Sequence, residues 1–377
     1  MRTEQSLELC TLRGHQASVT AAAVDADGRR AVSVSHDGTV RLWDIPARQE
    51  YRTLRGHDGS VTSVCLPSGA NRVVSGSEDR TLRVWDPDTG AVVGELRGHA
   101  GAISAVVALG GERVASGSWD KTVNIWELDR EAAVATLSGP RQPVMSVTAS
   151  PDARYLVAGC ADGTVCTWDL VDGREPAPVG GHSGPVTALV PALHGQVAVS
   201  ASFDGQLGIW QLETGERIGQ LTGHREAVMA VVATPDGRYA ISGSEDGDVR
   251  VWDVAAATEL FVLTGHRGCV SSLAISPNGR WVVSGSYDMS LGLWDIQRGR
   301  LVRFLSGHAG PVEALAISAD GRYIVSGSED RTVRVWDLAG AVGEDAGAPE
   351  VEPESAERRA RIAAQSHYWG APARDEG

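Results

Sequence analysis

The chain has 377 residues, of which 42% are apolar and 22% charged, a balance that permits a large packed core and excludes wholesale disorder. Its 34 basic residues against 48 acidic ones leave a formal charge of −14, with Lys121 the sole lysine. No basic patch stands out in the sequence, so nucleic acid and acidic membrane surfaces are expected to be repelled.

Taken from its start, the chain first offers Met1 to Cys10, which is polar and carries Glu4 and Glu8 where a secretory leader needs an apolar stretch. No apolar run approaches the roughly 18 residues of a membrane span, so a cytoplasmic location is expected. Leu7-Glu-Leu-Cys-Thr-Leu-Arg13 has the pattern of a short strand. Beyond it the chain repeats. Trp43, Trp85, Trp126, Trp168, Trp210, Trp252, Trp294 and Trp336 are spaced by 42 residues, once by 41. A Gly-His pair precedes seven of them, with His at 15, 57, 99, 182, 224, 266 and 308, and Pro140 stands in that place in the fourth copy. Six residues before each Trp stands an Asp: 37, 79, 120, 162, 204, 246, 288 and 330.

Within one unit the Gly-His leads into an apolar stretch such as Val61 to Leu66, then a turn of the Pro-Asp-Gly-Arg kind (Pro235 to Arg238). A β-rich segment such as Tyr323 to Ser328, a tight turn carrying the Asp, and a strand ending in Trp-Asp follow. A fourth strand, for example Leu301 to Leu305, runs to the next Gly-His. Four short strands cannot bury their own faces, so the units must stack, and a closed ring also protects the sheet edges.

These landmarks resemble the WD-repeat (WD40) family of β-propellers from about Leu7 to Leu338, with Trp-Asp kept in six copies and replaced by Trp126-Glu127 and Trp210-Gln211 in the third and fifth. The expectation is an all-β, eight-bladed propeller over residues 1–338 and a flexible acidic, partly helical tail over 339–377. Eight copies contain eight sets of inner strands but only seven fourth strands, because Leu338-Ala-Gly-Ala-Val after Trp336 makes a poor strand. The N-terminal segment should therefore complete the eighth blade and latch the ring. The resemblance further implies a hydrogen-bonded chain from Trp through a strand Ser to His and the turn Asp, the Ser being 33, 75, 116, 200, 242, 284 or 326. The fourth copy departs at two of these places together, with Pro140 and Ala158, as a shared network predicts.

Seven of ten histidines are thereby assigned to architecture, leaving His36, His194 and His367. Five scattered cysteines, none in a CxxC pair, argue against a disulfide framework or zinc site, and Cys160 and Cys166 read as two buried thiols. Trp281 beside Arg280 reads as packing. In the family, contact residues sit one place before the turn Asp and three and five places after the His. Here those places include Trp119, Phe203, Tyr287, Met145, Met229, Pro143 and Pro185 as an apolar arc on blades three to seven, beside an acidic sector of Glu313, Glu329, His36 and Glu78. This pattern predicts a docking face for protein or peptide partners on an otherwise monomeric scaffold.

No Walker loop, G-x-S-x-G elbow or H-E-x-x-H is present, and neither enzyme activity nor a cofactor or metal is expected. The alternative is acid–base or metal chemistry by His36 with Glu329, Glu78 and Glu313. The tail contributes a possible short helix from Ser355 to Gln365 and a linear motif around Tyr368 and Trp369.

Overall fold

A computed structural model describes residues 7–25, 27–67, 71–130, 132–173 and 181–343. They form eight antiparallel sheets, seven of four strands and one of three, arranged as an eight-bladed propeller. Blade one runs Val19–Val24, Arg30–Ser35, Thr39–Asp44 and Gln49–Arg55 from the channel outward, and the other blades repeat this order. Blade four consists of Val144–Ala149, Tyr155–Cys160 and Val165–Asp169; the segment from which a fourth strand would come, 174–180, lies outside the described residues.

The ring closes as the strand count requires. Glu8–Arg13 pairs with Thr332–Asp337 as the outer strand of blade eight, with Leu12 opposite Val333 and Thr11 opposite Arg334. Leu12 is buried in one cluster with Val19 and Trp43 of blade one and Val325 and Val335 of blade eight, so the latch also fills the closing interface. Each inner strand touches the inner strands of both neighbours, and Val19–Val24 meets Val312–Ile317 across the closure. The core lies between sheets: Val32, Val34 and Leu42 of blade one pack with Val61, Val73 and Trp85 of blade two, and this pattern recurs around the ring. At the closure, a side chain on Gly327 would strike Val19, which is why the blades can approach there.

After Trp336 the chain forms a single helical turn, Leu338–Val342, rather than a strand. Asp337, the last residue of the Trp-Asp pair, caps it by accepting from the Gly340 amide, and Leu338, Ala341 and Val342 pack beside Trp281 and Ile324. The expected helix from Ser355 to Gln365 and the Tyr368-Trp369 motif lie outside the described residues. Among the described residues no helix is long and apolar enough to cross a membrane.

Candidate docking face at the channel mouth

Each blade turns at the mouth through its Asp, and the landmark residues fix that turn. In blade one Trp43 Nε1 donates to Ser33 Oγ at 2.7 Å, Ser33 Oγ lies 2.8 Å from His15 Nε2, and His15 Nδ1 lies 3.0 Å from Asp37. The carboxylate only accepts, so Nδ1 carries the proton, Nε2 accepts from the serine hydroxyl, and the serine oxygen is left to receive the indole N–H. One neutral imidazole tautomer thus satisfies the whole chain. The same contacts recur in blades two, three, five, six, seven and eight, as in His182 with Ser200 and Asp204.

The Asp carboxylates also accept from backbone and hydroxyl groups, for instance Gln16 N and Thr39 Oγ1 at Asp37. Burial alone would raise the pKa of these acids, but the donors outweigh it, and Asp288 is brought down to about 2. Burial in turn holds His99, His182, His224 and His266 below their ordinary value, with the facing carboxylates opposing it. These pairs are therefore neutral imidazole against carboxylate. Their Ser–His–Asp order invites comparison with a hydrolytic triad, but the serines are fully buried and their oxygens are occupied by indole N–H groups.

Blade four lacks both Ser and His. Trp168 Nε1 turns to the Ser138 carbonyl at 3.3 Å, Asp162 is exposed and accepts from Thr164, and Pro140 is buried. A groove of about 450 Å³ opens here between Ala135–Leu137 of blade three and Trp168 and Leu170 of blade four. Cys160 and Cys166 are both buried in this blade, as free thiols like the other cysteines. Trp281 is buried with the Arg280 guanidinium 4.3 Å over its ring, a packing role.

The positions singled out for recognition are brought together within each blade. The residue before the Asp donates its amide to the carbonyl of the residue three places after the His position: Trp119 to Ala102, Phe203 to Pro185, Tyr287 to Cys269, His36 to Ser18, and Ala161 to Pro143. The position five places after the His is a β-bulge in every blade, being Thr20, Thr62, Ser104, Met145, Thr187, Met229, Ser271 and Glu313. A bulge re-aims its side chain. Five of these residues use a hydroxyl to hold the next blade: Thr20 to Val61 O, Thr62 to Ile103 O, Ser104 to Val144 O, Thr187 to Val228 O and Ser271 to Val312 O, at 2.6–2.7 Å. Met145, Met229 and Glu313 have no hydroxyl for that clamp.

Three aromatic rings stand out at the mouth: Trp119 is 57% exposed, Phe203 47% and Tyr287 46%. His36 is exposed too, whereas Met145, Met229, Pro143 and Pro185 are half-buried. Met289 was not legible as a mouth residue, yet it is exposed two places after Tyr287 with φ 69°, where four other blades have glycine. The separation into an apolar arc and an acidic sector is less clean than the sequence suggests. Tyr287 holds the same turn position in blade seven as Glu245 in blade six and Glu329 in blade eight, and burial and then the charges of Glu313, Glu329 and Glu245 raise its pKa.

Glu313 itself is raised, first by burial and further by the charge of Glu329; the Ser18 hydroxyl at 2.9 Å and His36 work the other way. Of the alternative constellation, His36 and Glu329 both act electrostatically on Glu313. Among the described residues no group of three or more His, Cys, Asp or Glu is placed to hold a metal ion.

Eight stretches of the chain, 7–44, 48–86, 90–127, 132–169, 175–211, 215–253, 257–295 and 299–337, match the model of the WD domain, G-beta repeat. The chain belongs to the WD-repeat family. Propellers of this family typically act as protein-interaction scaffolds and are generally not enzymes. The crystal structure of the computationally designed Ika8 protein is similar to this WD-repeat chain, at 34% identity and a TM-score of 0.79, covering 88% of this chain and 99% of that one. No curated protein matches the chain.

Proposed function

We propose that this WD-repeat protein is a non-catalytic, monomeric cytoplasmic platform that presents its channel mouth to a protein or peptide partner. The observation that carries the reading is the exposure of Trp119, Phe203 and Tyr287 on turns that are otherwise locked by buried hydrogen bonds. Rings held on rigid turns lose little conformational freedom when a partner covers them, and such anchors contribute most of the energy of many interfaces. Met145, Met229, Pro143, Pro185 and His36 complete the contact surface in this reading. Nucleic acid and membranes are unfavourable partners for a chain of formal charge −14.

The reading is tested by immobilising the wild-type chain and the Trp119→Ala/Phe203→Ala/Tyr287→Ala variant and comparing the proteins each retains from native extract. Loss of specific partners by the variant is expected, and an unchanged set would overturn this face as the docking surface. Acid–base or metal chemistry at His36 is the second reading, favoured only by its proximity to Glu313 and Glu329. Stoichiometric metal that disappears in His36→Ala would support it.

A further inference from the structure

We propose that the part of the mouth formed by Tyr287, Glu245, Glu313 and Glu329 is occupied by the chain's own segment Arg358–Arg374. The proposal rests on the reading of the mouth as a docking face and names its first occupant. On the receiving side, Tyr287 is 46% exposed and holds the same turn position in blade seven as Glu245 in blade six and Glu329 in blade eight, their amides donating to Cys269, Ala227 and Pro311 carbonyls, while Glu313 sits at the blade-eight bulge. Among the described residues no Arg or Lys forms an ion pair with Glu245, Glu313 or Glu329. Other carboxylates are already compensated, as exposed Asp88 is by Arg30, half-buried Asp86 by Arg72 and Glu50 by Arg41. Acids without a cationic partner, Glu313 half-buried and Glu329 exposed, on the same rim as an exposed ring are complementary to a planar cation, which gains both charge pairing and contact with the aromatic face.

On the donating side, the charges after the last blade are segregated. Residues 344–357 contain six acids and no base, whereas residues 358–374 contain Arg358, Arg359, Arg361 and Arg374 and no acid, together with Tyr368 and Trp369. The segment alternates cations with apolar and aromatic residues. It is also close at hand. The chain leaves blade eight after Val342 at the rim opposite the mouth, next to Arg322, and blade eight is the blade that carries Glu313 and Glu329. The fifteen residues from 344 to 358 reach up to about 50 Å when extended, and a six-residue strand is only about 20 Å tall. Tethering at that range gives an effective concentration on the order of millimolar, enough for a weak contact to be well populated. A partner of the mouth would then have to displace the segment.

Hydrogen–deuterium exchange of the full chain reads both sides at once. Amides of 358–374 are expected to exchange at least about tenfold more slowly in the wild type than in the Arg358→Gln/Arg359→Gln/Arg361→Gln variant. The turns of Tyr287 and Glu329 should lose protection in that same variant, whose substitutions lie outside the ring and leave its folding untouched. Glu313→Gln/Glu329→Gln and roughly 0.5 M salt should each release the segment.

Free-peptide exchange of 358–374 in the wild type would overturn the proposal, as would protection that survives Glu313→Gln/Glu329→Gln and salt. Protection that falls on dilution would place the segment on a second copy and would equally overturn it. Partner capture is a separate readout: if the mouth is no docking face for other proteins, neither wild type nor the arginine variant retains one, whatever the exchange of the segment.

Discussion

His182 Nδ1 donates to Asp204 and its Nε2 accepts from Ser200, whose oxygen receives Trp210 Nε1 at 2.7 Å. Removing the imidazole strands a serine hydroxyl and a half-buried carboxylate at once, so His182→Ala is expected to cost about 2–3 kcal/mol. Ser200→Ala added to it should cost less than Ser200→Ala alone, with a coupling on the order of 1 kcal/mol in a double-mutant cycle. Additive effects would mean that the contacts do not act as a chain. Blade four is the natural counterpart, since Pro140 and Ala158 have removed both partners and its Trp168 has found a carbonyl instead.

The same residues set the response to acid. His99, His182, His224 and His266 are held below 6.5 in the fold, so the unfolded chain takes up protons first. Their contribution is present above that value and is lost as pH falls below it. The turn aspartates of the seven blades that keep the His, Asp288 at about 2 among them, are held below 3.8, so their contribution is present above 3.8 and is lost on descending through the folded value. The melting temperature should therefore be flat above about pH 7 and fall in two stages on acidification, first below 6.5 and again below 4. Calorimetry across this range checks the sign. A melting temperature that rises as pH falls through 6.5 would contradict neutral imidazoles in the fold.

At the scale of elements, the blades were readable because one Trp per unit at constant spacing leaves no freedom in where a unit begins. The latch was readable for a related reason: seven fourth strands for eight blades leave one edge unpaired, and Leu7–Arg13 has the pattern to fill it. In the structure Arg334 also forms an ion pair with Glu8 across that seam. Deleting residues 1 to 13 should expose the edge of Thr332–Asp337 and lower the melting temperature by on the order of 10 °C. An unchanged value would mean that the ring holds without its latch. The bulge at the start of each innermost strand was not readable, because it is a shift of register between strands and leaves no residue type of its own. Its consequence is visible only in three dimensions: a Thr or Ser at the bulge reaches the neighbouring carbonyl, and a Met or Glu does not.

For the whole molecule, repetition separates two kinds of position. The Trp, Ser, His and Asp that recur in seven or all eight copies form the hydrogen-bonded chains that fix the turns, while the aromatic residues singled out for recognition differ from copy to copy and stand at the mouth. That separation let the sequence point to Trp119, Phe203 and Tyr287. It hid the neighbourhood of Tyr287, because Glu245 and Glu313 are about a repeat or less away in sequence on either side and meet it only through the curvature of the ring. Met289 was hidden as well, since the place after the turn Asp favours glycine and its apolar side chain there carries no periodic signal.

The most direct test pairs two variants under one assay, thermal melting followed by partner capture on the same preparations. Trp119→Ala/Phe203→Ala/Tyr287→Ala should melt within about a degree of the wild type, as exposed substitutions do, and lose its partners. His182→Ala should melt several degrees lower and, below its transition, keep them. Partners retained by the triple variant and lost by folded His182→Ala would contradict the assignment of the repeated residues to architecture and of the unrepeated ones to recognition.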